Sequence, residues 1–205
     1  MKAHFDLILI SPEEGPKDEI GIVCQLFSNS LQVFHLRKPL WASAEMERFL
    51  QDLPKEFHNR IVLHSHFQLA DIFKVKGIHL NENNKKSITQ FDKYTIISAS
   101  FHSLNDLKEN RFSYEYIFLS PVFDSISKAG YSSKFDLKLL ETELKILRQQ
   151  NLFLPKVFAL GGVNAQNVAL VKEAGFSGAA LLGAVWQNEN PVNAFLEIQS
   201  ICHGR

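Results

Sequence analysis

The 205-residue sequence contains only two cysteines, Cys24 and Cys202, spaced as neither a metal clip nor a redox pair. A disulfide framework and a thiolate-held metal are therefore set aside, and both thiols are expected to be packing residues in a reducing compartment. Charge of one sign is missing as well, because 22 Lys and Arg balance 22 Asp and Glu. With no global field to draw the chain to nucleic acid or an anionic membrane, partners have to be recognised locally, in a site. No apolar run approaches the length of a membrane span. The opening stretch from Met1 to Pro16 holds a short apolar run without a small-residue cleavage pattern, so it reads as a buried first strand rather than a signal peptide. The cytoplasm is the expected location. No linker, low-complexity segment or shift in composition marks a second domain, so residues 1–205 are expected to form one.

What the sequence does have is alternation. Eight short apolar runs occur, at Leu7–Ile10, Val33–Leu36, Ile61–Leu63, Gly77–Leu80, Thr95–Ser98, Tyr116–Leu119, Val157–Leu160 and Ala179–Leu182. Each is about four residues long and bounded by polar or turn residues, the pattern of a strand buried on both faces in a parallel sheet. Amphipathic stretches at Ser43–Leu53, Ser103–Arg111, Phe135–Gln150 and Asn164–Ala174 read as helices, the last stopped by Gly175. Asn81–Ser87 and Phe91–Tyr94 read as loop or short helix. Eight strands alternating with helices predict an α/β fold, a compact (β/α)8 TIM barrel with several trimmed units, since about 250 residues are typical of that fold.

Ligands of such barrels sit at the C-terminal strand ends. After the seventh run comes Phe158-Ala-Leu-Gly-Gly-Val-Asn164, where Gly161 and Gly162 allow a close backbone approach to an anion. The expected helix from Asn164 would add free N–H groups. After the eighth run, Gly183 and Ala184 open another turn ahead of a helix, so the two ends together suggest a phosphate cradle. The sixth run leads into Ser125, Ser127 and Lys128, two hydroxyls and a cation able to clamp the same phosphate. Past the second run, Arg37 and Lys38 could meet a second anionic group. His64 and His66 alternate along an extended segment, and with His79 they define a conceivable transition-metal set. Trp41 and Trp186 flank strand ends, and Lys76 reads as a solvated surface charge.

Taken in order, these segments resemble the thiamine phosphate synthase and TenI family over nearly the whole chain. Leu36-Arg-Lys38 is similar to that family's Gln-x-Arg-x-Lys segment. Gly77-Ile-His-Leu80 is similar to its Gly-Val-His-Leu stretch, and Ser98-Ala-Ser-Phe-His-Ser103 to its Ser-x-His-Ser segment. Tyr116-Ile-Phe-Leu-Ser-Pro-Val-Phe123 with Ser125, Ser127 and Lys128 resembles its Asp-Tyr-x-x-x-Gly-Pro-Val-Phe-x-Thr-x-Thr-Lys signature. Ala159-Leu-Gly-Gly-Val-Asn164 and Ala174-Gly-Phe-Ser-Gly-Ala-Ala180 match its final phosphate-binding block.

The resemblance implies a small-molecule partner, thiazole phosphate, held by Ser125, Ser127, Lys128, Gly161, Gly162, Gly183 and Ala184. His35, Arg37, Lys38 and His64 would line the second-anion or pyrimidine side. No nucleic acid and no membrane are expected as partners, and a homo-oligomer is left open. Synthases of the family join the thiazole phosphate to a pyrimidine pyrophosphate with Mg²⁺ at the leaving group, whereas the TenI branch isomerises a thiazole carboxylate phosphate tautomer to its aromatic form. Here the metal-binding Asn-Asp-Arg reads His64, Ser65 and His66, and the Asp of Gly-Gln-x-Asp reads Asn84, with Glu82 two positions early. His35 replaces Gln and Pro39 replaces Lys in the cationic segment. Mg²⁺ calls for hard anionic ligands, so the expected activity is a thiazole tautomerase with no cofactor and His102 moving the proton. Synthase activity with Mg²⁺ is the alternative, with Arg37, Lys38 and Glu82 compensating. A non-catalytic binder of thiazole phosphate is the third reading.

Overall fold

Eight parallel strands close on themselves in chain order, the first pairing with the second and with the eighth. The structure is a computed structural model and describes residues 5–81, 84, 96–110, 112–124, 135–150 and 155–204. The strands are β1 (Asp6–Ile10), β2 (Val33–Leu36), β3 (Ile61–Leu63), β4 (Gly77–Leu80), β5 (Ile96–Phe101), β6 (Tyr116–Leu119), β7 (Lys156–Leu160) and β8 (Gly178–Leu181). The helices are α1 (Glu19–Ser28), α2 (Ser43–Asp52), α3 (Leu69–Phe73), α4 (Leu104–Glu109), α5 (Leu137–Gln150), α6 (Val168–Glu173), α7 (Gly183–Trp186) and α8 (Pro191–His203). No helix among the described residues is long and apolar enough to cross a membrane.

Each expected apolar run overlaps one strand, and the largest difference is β5, which runs on to Phe101. The trimming is visible in α3, α4, α6 and α7, which have only 5, 6, 6 and 4 residues. The α1, α3 and α8 segments are helical although their patterns did not predict it, whereas α7 is the helix expected at Gly183 after the eighth run. In α1, Gly21 and the β-branched Ile20, Ile22 and Val23 lower helix propensity, and burial of Val23, Leu26 and Phe27 overrides it. Helix α6 begins at Val168, not at Asn164. The side chains of Asn164 and Asn167 hold the intervening turn: Asn164 N–H donates to Asn167 Oδ1 at 2.9 Å, and Asn167 Nδ2 donates to the Gly162 carbonyl at 2.9 Å.

Strand alternation sorts the apolar residues into two clusters. Leu7 and Leu9, Ile117 and Leu119, and Val157 and Ala159 face outward and pack with helix residues such as Leu26, Met46 and Leu144. Ile8 and Ile10, Tyr116 and Phe118, Phe158 and Ala180 face inward and fill the barrel. Gly178 makes room for that filling, because a Cβ there would lie 2.5 Å from the Phe158 ring and 2.1 Å from the Asp6 carbonyl oxygen. The barrel interior is thus plugged by side chains, and chemistry is left to its mouth.

Candidate functional site at the barrel mouth

The inward-facing row turns polar as it rises toward the C-terminal ends. His35 on β2 and His79 on β4 are buried, and both rings lean on Phe118, at 4.9 and 4.7 Å between centroids. His64, directly after β3, stacks on His79 at 4.4 Å. Hydrogen bonds fix the group in place. His35 Nε2 meets the Tyr116 hydroxyl at 2.6 Å, and His35 Nδ1 meets His64 Nε2 at 2.9 Å. The two nitrogens of His79 meet the hydroxyls of Ser98 and Ser100, each at 2.8 Å.

Burial, reinforced by the neighbouring His79, holds His35 well below the ordinary imidazole pKa. His64 is lowered for the same reasons, with His35 and Arg37 adding to the effect. Burial pushes the Tyr116 phenol up. All three groups are therefore neutral at pH 7, and their hydrogen bonds can run in either direction along the chain. The folded protein binds fewer protons at His35 and His64 than the unfolded chain does. Stability is therefore full above the unfolded value near 6.5 and falls as pH drops below it, by about 1.4 kcal/mol per pH unit for each histidine. Urea unfolding at pH 7.5, 6.5 and 5.5 is expected to show a loss between the last two. A flat profile over that interval would mean that neither imidazole is held neutral.

His66 does not join its neighbour. Its backbone takes a φ of 53°, and Nε2 turns to the Trp41 carbonyl at 2.9 Å. The expectation that His64 and His66 both face the mouth is thus met by His64 alone, because the chain leaves extended geometry after β3. The cations after β2 also have partners within the chain. Arg37 donates to Glu13 Oε1 at 2.7 Å. Lys38 is buried, donates to Glu19 Oε2 at 2.6 Å and lies over the Trp41 ring at 4.9 Å. Glu19 and Glu13 were not among the residues singled out from the sequence. Glu13 lies in the β1–α1 connection and Glu19 opens α1, 24 and 19 residues before their partners, and neither place carries a local signal. Trp186 donates from Nε1 to the Ile10 carbonyl at 2.7 Å, a packing role across the β1 end.

On the opposite side of the mouth, Gly161 and Gly162 turn the chain after β7 with φ of 95° and 65°, in the left-handed region. The loop after β6 presses on this turn. Val122 N–H donates to the Leu160 carbonyl at 2.9 Å and Phe123 N–H to that of Gly161 at 3.1 Å. A Cβ on Gly162 would lie 2.2 Å from the Asp124 carbonyl oxygen. The glycines are therefore required by the approach of this loop, and Asp124 is brought directly against Gly162. Ser125, Ser127 and Lys128 follow it and lie outside the described residues, as does Glu82. Gly183 and Ala184 open α7, where the first N–H groups have no acceptor within a helix.

His102 follows β5 and is exposed. Its Nδ1 lies 3.1 Å from the Ser120 carbonyl oxygen, which can only accept. The Ser120 hydroxyl stands 3.3 Å from the same nitrogen, and the closer carbonyl contact calls for a proton on Nδ1, the tautomer in which Nε2 carries the lone pair.

Closed barrel, glycine turns after β7 and β8 and a polar mouth place the chain among (β/α)8 barrels whose ligands bind at the C-terminal strand ends. Residues 7–185 match the family described as thiamine monophosphate synthase (TMP-TENI), and the chain belongs to that family. Its relatives include the thiamine-phosphate synthase of Desulfitobacterium hafniense, 26% identical over 95% of both chains. The crystal structure of the thiamine phosphate pyrophosphorylase of Bacteroides thetaiotaomicron superposes with a TM-score of 0.82 at 29% identity, covering 97% of this chain and 98% of the other. The Pyrococcus furiosus thiamine phosphate pyrophosphorylase shares the fold, with a TM-score of 0.79 at 20% identity over 98% and 96%. This is a family of thiamine biosynthesis.

The family also implies Mg²⁺. Mg²⁺ demands hard oxygen ligands in near-ideal octahedral geometry. The described residues at the ends of β3 and β4 are His64, Ser65, His66, Asn81 and Asn84, with no carboxylate among them. This donor set does not fit the ion.

Proposed function

We propose that the protein is a thiazole phosphate isomerase of the TenI type, with His102 as the group that moves the proton. The observation that carries this reading is the pairing of His102 Nδ1 with the Ser120 carbonyl at 3.1 Å, which leaves Nε2 to act as the base. Nε2 takes a ring proton from the non-aromatic tautomer. The imidazolium so formed, held by the Ser120 carbonyl, returns a proton at another position of the same conjugated system. One proton leaves, one is returned, and no metal or redox partner is required. The phosphate is held by the turn amides at Gly161, Gly162, Gly183 and Ala184, with Ser125, Ser127 and Lys128 as its further ligands.

Synthase activity is the second reading, favoured by the names of the relatives. Loss of pyrophosphate needs its charge neutralised. The engagement of Arg37 and Lys38 by Glu13 and Glu19 argues against it.

Purified protein is given the thiazole carboxylate phosphate tautomer in one reaction. In another it receives thiazole phosphate, hydroxymethylpyrimidine pyrophosphate and Mg²⁺. Formation of the aromatic carboxylate alone is the expected result. Catalytic production of thiamine phosphate would replace this reading with the synthase, and binding without turnover in either reaction would leave a non-catalytic thiazole phosphate binder.

A further inference from the structure

We propose that His35, His64 and His79 form a binding site for a borderline transition ion of the Zn²⁺ class, at the ends of β2, β3 and β4. One ligand atom from each imidazole can be chosen so that all three lie within 4.8 Å of one another. In a tetrahedral site with Zn–N bonds of about 2.0–2.1 Å, neighbouring nitrogens stand about 3.3 Å apart. His35 Nδ1 and His64 Nε2 already face each other at 2.9 Å, so a small opening admits the ion between them. His79 lies stacked on His64, so its ring has to tilt and one of its nitrogens has to exchange a serine hydroxyl for the ion.

The supporting partners of such a site are already built. Metal-bound histidines donate their other ring N–H to a fixed acceptor, which sets tautomer and orientation. With Nδ1 on the ion, His35 donates Nε2–H to the Tyr116 oxygen, at 2.6 Å. His79 has a serine hydroxyl at each nitrogen, so whichever one binds the ion, the other keeps its hydrogen-bond partner. The Ser65 hydroxyl, one residue past His64, is buried and has no hydrogen-bond partner. Three imidazoles with one open position suit Zn²⁺ and its neighbours, not Mg²⁺, and the fourth position faces the mouth, where water or a ligand heteroatom can complete it. This inference stands apart from the isomerase assignment, which routes no step through an ion.

The test uses the full chain and Zn²⁺ alone, by calorimetry and by competition with a chromophoric chelator, with Co²⁺ absorption reporting coordination geometry. One ion per chain is expected, with a tetrahedral Co²⁺ spectrum. His64→Ala should weaken binding by about 100-fold or more, and one of Ser98→Ala and Ser100→Ala, whichever removes the partner of the unligated His79 nitrogen, by about 10- to 100-fold, the range for supporting partners. His66→Ala, in the same segment but turned away, should bind as the wild type does. Should the buried variants fail to fold, the imidazole ¹⁵N resonances of the wild type decide, since those of His35, His64 and His79 must shift together on adding Zn²⁺. The proposal is overturned if no ion binds, if affinity survives both His64→Ala and His79→Ala, or if other histidines shift instead.

Discussion

His102→Ala is expected to lower kcat for isomerisation by about 10²- to 10⁴-fold, the usual contribution of a positioned acid or base, while KM stays near the wild-type value. In barrier terms this is about 3–5 kcal/mol. The split follows from geometry. In the proposed site the phosphate is held at the ends of β7 and β8, two and three strands away from β5, so truncating His102 is expected to leave binding in place and remove the proton carrier. His102→Gln separates two roles. An amide can keep a hydrogen bond to the Ser120 carbonyl but cannot carry a proton, so a fully active Gln variant would reduce His102 to a positioning residue. Tautomerisation within twofold of the wild type in His102→Ala would remove the residue from the mechanism.

The parts of this molecule legible in its sequence are those that a short window encodes. Each strand is an apolar run flanked by turn residues, so β2, β3, β4 and β6 fall where Val33–Leu36, Ile61–Leu63, Gly77–Leu80 and Tyr116–Leu119 were expected. The turn at Gly161 and Gly162 was legible because two glycines end an apolar run, whereas His102, which directly follows β5, was singled out only by the family resemblance. What escaped the sequence is set by long-range pairing. Helix α1 reads weakly by propensity and is made by packing. Helix α6 starts late because two asparagine side chains capture the turn, a competition between side-chain and backbone hydrogen bonds that helical spacing does not encode. The joining of His35 to Tyr116 spans 81 positions, and only strand register reveals it. The partners of Arg37 and Lys38 were hidden similarly: two cations that the sequence offers to an anion are each paired with a carboxylate of the chain.

Lys38→Met is expected to destabilise the fold by about 3–5 kcal/mol, the cost of leaving one buried charge without its partner. The Lys38 side chain is 0% exposed and that of Glu19 only 8%, so water cannot take over the lost interaction. Glu19 is already poorly served, because its Oε1 is buried without a hydrogen-bond partner and burial raises its pKa more than Lys38 lowers it. At 2–4 °C per kcal/mol for a chain of this size, the melting temperature should fall by roughly 6–20 °C. Removing Lys38 raises the Glu19 pKa further. The folded state then holds a proton that the unfolded chain releases, so the deficit should shrink as pH falls toward the acid range. Glu19→Met combined with Lys38→Met should recover most of the stability, because an apolar pair of similar volume carries no desolvation cost. That double variant also separates architecture from ligand binding. With the fold restored and the charge absent, unchanged affinity for thiazole phosphate assigns Lys38 to the β1–β2 side of the scaffold. A loss of about tenfold, equal to 1.4 kcal/mol, would instead show that Lys38 leaves Glu19 to meet the ligand.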